Sequence, residues 1–141
     1  MEIKLIGSEA LKIQFARYSR QKETSLVVEA DESLPKFNFK TESFFDQSYS
    51  DRFGLIFHAT LLHQGFYGLD LSYLTWFQTS EPIDADFMES PFLGVNAPAI
   101  AFPFLRSFIS IMLLNAGYKP AIIPSINFVK LYERQKKKPL K

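Results

Sequence analysis

Apolar and polar residues alternate with a period of two over much of the chain before Thr79, the pattern of strands with one buried face. Leu11, Ile13 and Phe15 alternate with Lys12, Gln14 and Ala16. Residues 25–30 (S-L-V-V-E-A) form a second short β-like run, closed by turn residues at 31–35. Phe37 and Phe39 alternate with Lys36, Asn38 and Lys40, in a strand predicted to reach about Phe45. Turn residues fill 46–51. Phe53, Leu55, Phe57, Ala59 and Leu61 then make one face of a long strand, and His63-Gln64-Gly65 reads as a hairpin turn. Tyr67, Leu69, Leu71, Tyr73 and Phe77 make one face of the next strand. Strands joined by short turns predict an antiparallel sheet.

Beyond Phe77 the period changes. Glu81-Pro82-Ile83-Asp84 reads as a turn into a short helix near 85–89, with acids in its first turn. The main helix follows, with Asn96 as predicted N-cap and Pro98 tolerated in the first turn. Pro103 inside that helix would lose the bond to the Ala99 carbonyl and clash with it, at about 3 kcal/mol. A kink there, or a regular helix starting near Phe102, is therefore predicted. Gly117 suits the left-handed position just past the helix end. Pro124 blocks continuation, and Ser125 is predicted to cap a last helix over 126–137. The fold class is α+β: a four-stranded antiparallel sheet with a long kinked helix and a C-terminal helix packed on one face. A single domain over 1–141 is expected, with a β-rich part (1–78), a crossover loop holding the short helix (79–95), helices (96–135) and a basic tail (136–141).

The segment 104–116 is apolar on nearly every side, broken only by Arg106, Ser107, Ser110 and Asn115. A helix apolar all round cannot face water, and one sheet face covers only one of its faces. Phe104, Phe108, Ile111 and Met112 are the flank expected to be left over. Either the same helix of a second copy or the C-terminal helix of the same chain would cover it.

Composition narrows the class. The chain has 141 residues, 47% hydrophobic and 22% charged, the balance of an ordinary globular domain. It has no cysteine, which excludes disulfides and thiolate chemistry and fits a cytoplasmic location. No apolar run nears the roughly 18 residues of a membrane span, so no membrane insertion is expected, nor is a signal peptide. Phe is abundant, 15 residues against one Trp, which fits a phenylalanine-rich core or an aromatic-lined binding surface. The net charge of +1 hides an asymmetry: residues 130–141 carry six basic side chains against Glu133 alone. Such a tail suits an acidic partner or a phosphate backbone, or is simply a solvated helix end.

Catalytic chemistry finds little support. His58 and His63 are the only histidines and, five residues apart on one strand, point to opposite faces, so no metal site is expected. Asp84, Asp86 and Glu89 cluster beside Pro82 as a helix start rather than as an acid–base pair. No G-x-S-x-G and no phosphate-binding loop occurs. No catalytic residue and no cofactor is expected.

The residues Asn96, Phe102-Pro103, Gly117-Tyr118-Lys119-Pro120 and Pro124-Ser125-Ile126-Asn127-Phe128 give this half of the chain a further meaning. Their order resembles the helix–turn–helix of the SecB protein-export chaperone family, over roughly 95–135. The resemblance implies an ATP-independent holdase for unfolded precursor polypeptides, cytoplasmic, and assembled as a homotetramer built from a dimer of dimers. It also implies a client groove between the last strand and the crossover, lined by Tyr73, Trp76, Phe77, Phe87, Met88, Phe92 and Leu93. Asp70 falls near a position that in the family engages the SecA motor, but its neighbours Gly68 and Ser72 are uncharged. The acidic C-terminal extension of many members is replaced here by basic residues. A dedicated adaptor, an antitoxin-type chaperone, or a module binding an acidic partner or nucleic acid through the tail are the alternatives.

Overall fold

In the computed structural model, residues 1–17 and 35–137 are described. Four strands appear in chain order: β1 (Ile3–Arg17), β2 (Lys36–Phe45), β3 (Arg52–His63) and β4 (Tyr67–Thr79). They form one sheet in the order β1-β4-β3-β2. Pairing is antiparallel: the Ser80 N–H donates to the Glu2 carbonyl, and the Phe66 N–H to the His63 carbonyl at the hairpin. Gly65 takes φ 89° in that turn, a conformation that glycine adopts without steric cost. The alternation read from the sequence governs β3 and β4. Phe53, Leu55, Phe57, Ala59, Leu61, Tyr67, Leu69, Leu71, Tyr73 and Phe77 are all buried. β1 starts earlier than predicted, at Ile3, and its Leu11 and Ile13 stay exposed. The run at 25–30 lies outside the described residues.

Three helices follow: α1 (Ala85–Met88), α2 (Ala97–Asn115) and α3 (Phe128–Lys137), with a single π turn (Phe92–Asn96) leading into α2. The Asp84 carboxylate caps α1 by accepting from the Phe87 N–H at 3.0 Å. Two expectations for α2 are corrected. Asn96 stands at the N-cap position but does not cap: the residue is itself helical and makes no side-chain cap bond, because the π turn already supplies the preceding turn of backbone. The regular helix begins at Ala97, not near Phe102, and runs through Pro103 without a break. Pro103 and Ala99 are both exposed, so water can solvate the carbonyl that loses its partner. Joined to its π turn, the helix spans 24 residues, Phe92–Asn115, long and apolar enough by length and composition to cross a membrane. That corrects the expectation that no apolar run approaches that length.

The helix stops as predicted. Gly117 has φ 96°, the Gly117 N–H donates to the Leu114 carbonyl at 3.1 Å, and the Tyr118 N–H to the Leu113 carbonyl at 2.9 Å. This double closure is the Schellman arrangement. The cap of α3 is Asn127 and not Ser125: its Oδ1 accepts from the Lys130 N–H at 3.0 Å. An N-cap oxygen must reach the third N–H of its own helix, and α3 begins only at Phe128.

By internal contacts the chain forms two compact units. The first comprises Met1–Gly7, Ser43–Leu55 and Thr75–Lys141; the second comprises Ser8–Glu42 and Ile56–Leu74.

Candidate functional site

Within the first unit an aromatic column rises from the sheet into the crossover. Phe53 of β3 stacks on Phe77 of β4, centroids 5.1 Å apart and planes 8° from parallel. Phe87, placed by the capped turn of α1, tilts onto Phe53 at 5.4 Å. Phe92 of the π turn then stacks on Phe87 at 6.3 Å. Burial falls along the column: Phe53, Phe77 and Phe87 are buried, Phe92 is half-buried. Leu93 is half-buried and Met88 is exposed. The backbone holding them is tied down. The Ile83 N–H donates to the Ser50 carbonyl at 2.7 Å, the Thr79 N–H to the Asp51 carbonyl at 2.8 Å, and the Ser90 hydroxyl to the Phe87 carbonyl at 2.7 Å.

α3 docks on the same crossover. The Tyr132 hydroxyl donates to the Glu89 carbonyl at 2.9 Å, and the Tyr132 ring lies where a Cβ on Gly94 would be. Phe128 meets Phe102 of α2 edge-on at 5.6 Å.

Of the seven residues expected in one groove, Phe77, Phe87 and Phe92 are thus brought into one column, with Met88 and Leu93 on the segment that carries it. Trp76 is not: it neighbours Phe77 on β4, so its side chain leaves by the other face of the sheet. There it meets Phe44 of β2 edge-on at 5.2 Å. Gly54 makes this possible, since the Phe44 ring covers its Cα and a Cβ there would sit 2.5 Å from the ring. The Phe53 bridge between β4 and α1 was not predicted as part of the site. Its sequence signal was only its place in the strand alternation, which does not separate a core residue from one beneath a site.

In α2 the buried stripe is Ala97, Pro98, Ala101, Phe102, Leu105, Ile109 and Leu113. Phe104, Ile111 and Leu114 are exposed away from that stripe, whereas Phe108 and Met112, half-buried, lie at its edge and within its arc. Of the four residues expected as the leftover flank, Phe104 and Ile111 are thus the exposed pair.

The second unit holds the remaining predicted positions. Tyr73 is buried, and its hydroxyl donates to Ser8 Oγ at 3.0 Å. Asp70 accepts from Lys12 Nζ at 3.2 Å. His58 lies between Ser72 Oγ (3.0 Å from Nδ1) and Glu42 Oε1 (2.8 Å from Nε2), a three-strand row that the sequence did not reveal. His63 packs on Phe66 and edge-on to Tyr67, away from His58.

Residues 21–139 match the family model described as preprotein translocase subunit SecB. The chain belongs to the SecB family. Among curated relatives, the protein-export protein SecB of Magnetococcus marinus is 45% identical over 40 residues, 28% of this chain and 26% of the relative. That of Zymomonas mobilis is 28% identical over 82 residues, 58% of this chain and 43% of the relative. The chain thus matches less than half the length of these relatives. Among solved structures, a SecB-like chaperone of Mycobacterium tuberculosis, in complex with a ChAD peptide from an antitoxin, superposes with a TM-score of 0.64. That match covers 88% of this chain and 87% of the other at 12% identity, and the likeness is one of fold.

Proposed function

We propose that this SecB-family chain is a holdase chaperone that keeps precursor polypeptides unfolded for export, without nucleotide and without catalysis. The observation that carries the reading is the aromatic column whose buried foot is Phe53 and Phe77 and whose open end is Phe92, beside exposed Met88 and half-buried Leu93. A methionine adapts its shape and an aromatic ring offers large area at small entropic cost, which suits a surface that accepts many sequences. The client surface is accordingly Met88, Phe92 and Leu93, with Phe87 and Phe77 as support. Each side chain of this size gains roughly 1.5 to 3 kcal/mol on burial, so a few contacts hold an extended client.

The outward flank of α2 supports self-association. Phe104 and Ile111, now with Leu114, would be covered by the same helix of a second copy, with Phe108 and Met112 at the rim, giving a dimer or a dimer of dimers. On this reading the apolar helix is buried between copies in the cytoplasm and not inserted in lipid, and Arg106 sits in its middle. Asp70 remains a weak candidate for a motor contact, because Lys12 already engages its carboxylate. The antitoxin peptide held by the structural relative keeps a dedicated-client chaperone as the second reading.

The test is suppression of aggregation of a chemically denatured protein, with and without ATP. The parent should suppress equally in both. Met88→Ser combined with Leu93→Ser should weaken client affinity at least about tenfold, the effect of roughly 1.5 kcal/mol of lost apolar contact. An unchanged double variant would remove the crossover from the reading, and an inactive parent would remove the holdase itself.

A further inference from the structure

The client surface leaves unexplained the outer side of α3. Phe128 is buried and Leu131 and Tyr132 are half-buried, on the side of the helix that docks on the crossover. Lys130 and Arg134 are exposed on the other side, and neither enters an ion pair among the described residues. Two like charges one turn apart repel each other along a helix. Val129, next to Lys130, is exposed as well. Lys136 is exposed, with its ammonium over the Tyr132 ring, 5.2 Å from the centroid. Arg106 of α2 adds a cation near the helix start: its guanidinium is 5.7 Å from the centroid of Phe102, the ring that Phe128 meets. Over 130–141 the sequence holds six basic side chains, and Glu133 is the one acid. Glu89 of the crossover lies on the Tyr132 side, half a turn round the helix from Lys130 and Arg134. On the loop leading into α3, Ile122 is 90% exposed, next to buried Ile123.

We propose that the outer side of α3 docks peripherally on an anionic lipid surface, with Lys130, Arg134 and Lys136 at the headgroups and Val129 and Ile122 entering their boundary. Two observations select this occupant. The first is charge: six basic side chains against one acid give 130–141 a strong cationic excess, and a cationic cluster on a helix is drawn to acidic headgroups. The second is the exposed aliphatic side chains, which suit a surface where charge overlies hydrocarbon. A nucleic acid would use the same cations, but it offers nothing to Val129 or Ile122 and asks for open rings on which bases stack. α3 has none to give: Phe128 is buried, and the Tyr132 ring lies between Gly94 and Lys136. The docking goes beyond the holdase reading, since it uses no residue of the client surface, and α2 stays out of the lipid.

The probe is a vesicle of equal parts phosphatidylcholine and phosphatidylglycerol, compared with one of phosphatidylcholine alone, in co-sedimentation with the full chain. At low salt the anionic vesicle should bind at least about tenfold tighter, and moderate salt should remove most of that difference. Lys130→Gln with Arg134→Gln should weaken anionic binding at least about fivefold. Lys130→Arg with Arg134→Lys keeps both charges and should bind like the parent. Ile122→Ser with Val129→Ser keeps every charge and should weaken binding about threefold or more. All four side chains are exposed, so each variant should keep the circular dichroism of the parent. Should Val129→Ser disturb α3, Ile122→Ser alone reads the same contact. Equal affinity for the two vesicles, or parental affinity in the glutamine or the serine variant, overturns the proposal. So does a uridine oligonucleotide that strips the chain from anionic vesicles at equal phosphate concentration, which would assign the cations to nucleic acid. Aggregation suppression by the glutamine variant should match the parent; its loss would place these cations in client holding and overturn the proposal as well.

Discussion

Two glycines show how single residues shape this chain. At Gly94 the missing Cβ is replaced by the ring of Tyr132, whose hydroxyl then reaches the Glu89 carbonyl. Gly94→Ala should push Tyr132 out, break that bond and loosen α3, at a cost of about 1 to 3 kcal/mol. Hydrogen exchange should show faster exchange over 128–137 while β3 and β4 keep their protection; unchanged exchange would mean that Tyr132 does not hold α3. At Gly54 the intruding side chain is the far end of Phe44, 2.5 Å from where a Cβ would stand. Gly54→Ala should displace the ring and disturb the Phe44–Trp76 pair, changing Trp76 fluorescence at a cost of about 1 to 3 kcal/mol. Adding Phe44→Leu should recover part of that stability. A double variant no more stable than the single would locate the strain elsewhere.

At the level of elements, the ends of the helices follow local chemistry. Asn127 holds α3 through the Lys130 N–H, so Asn127→Ala should cost about 1 kcal/mol, whereas Ser125→Ala should cost little. Thermal denaturation followed by circular dichroism measures both, and equal losses would contradict the cap assignment. α2 shows the opposite situation. Pro103 argues locally for a kink or a late start, and of the two the late start is absent: the helix runs from Ala97 to Asn115. Exposure of Ala99 and Pro103 lets solvent take up the broken bond, and burial of Phe102, Leu105, Ile109 and Leu113 supplies the stabilisation. Tertiary burial here outweighs the local penalty.

For the molecule as a whole, the outward flank of α2 sets the expectation. Exposed Phe104, Ile111 and Leu114 share one side of a single helix, and a contiguous apolar patch of this kind marks an interaction surface. Sedimentation at micromolar concentration should give a dimer or tetramer, and a stable species near the 16.2 kDa of one chain would refute association. Ile111→Asp should dissociate the assembly yet leave the circular dichroism of a folded chain, because Ile111 is exposed while Ile109 and Leu113 carry the core. Unfolding of that variant would place Ile111 in a core instead.

What the sequence by itself determined was whatever depends on near neighbours along the chain. Period-two alternation marked β2, β3 and β4 and the buried face of the last two. Gly65 and Gly117 marked the turns that need positive φ, and the order of Asn96, Phe102-Pro103, Gly117 and Asn127-Phe128 pointed to the family. Tertiary structure alone decided the rest. Alternation tells that Trp76 and Phe77 part company but not which of them meets Phe87, because that depends on where the crossover returns. The Glu42–His58–Ser72 row, the Phe44 ring over Gly54 and the Tyr132 ring over Gly94 each join residues distant in sequence. Such contacts are fixed by the antiparallel register and by the docking of α3, and no local pattern encodes either one.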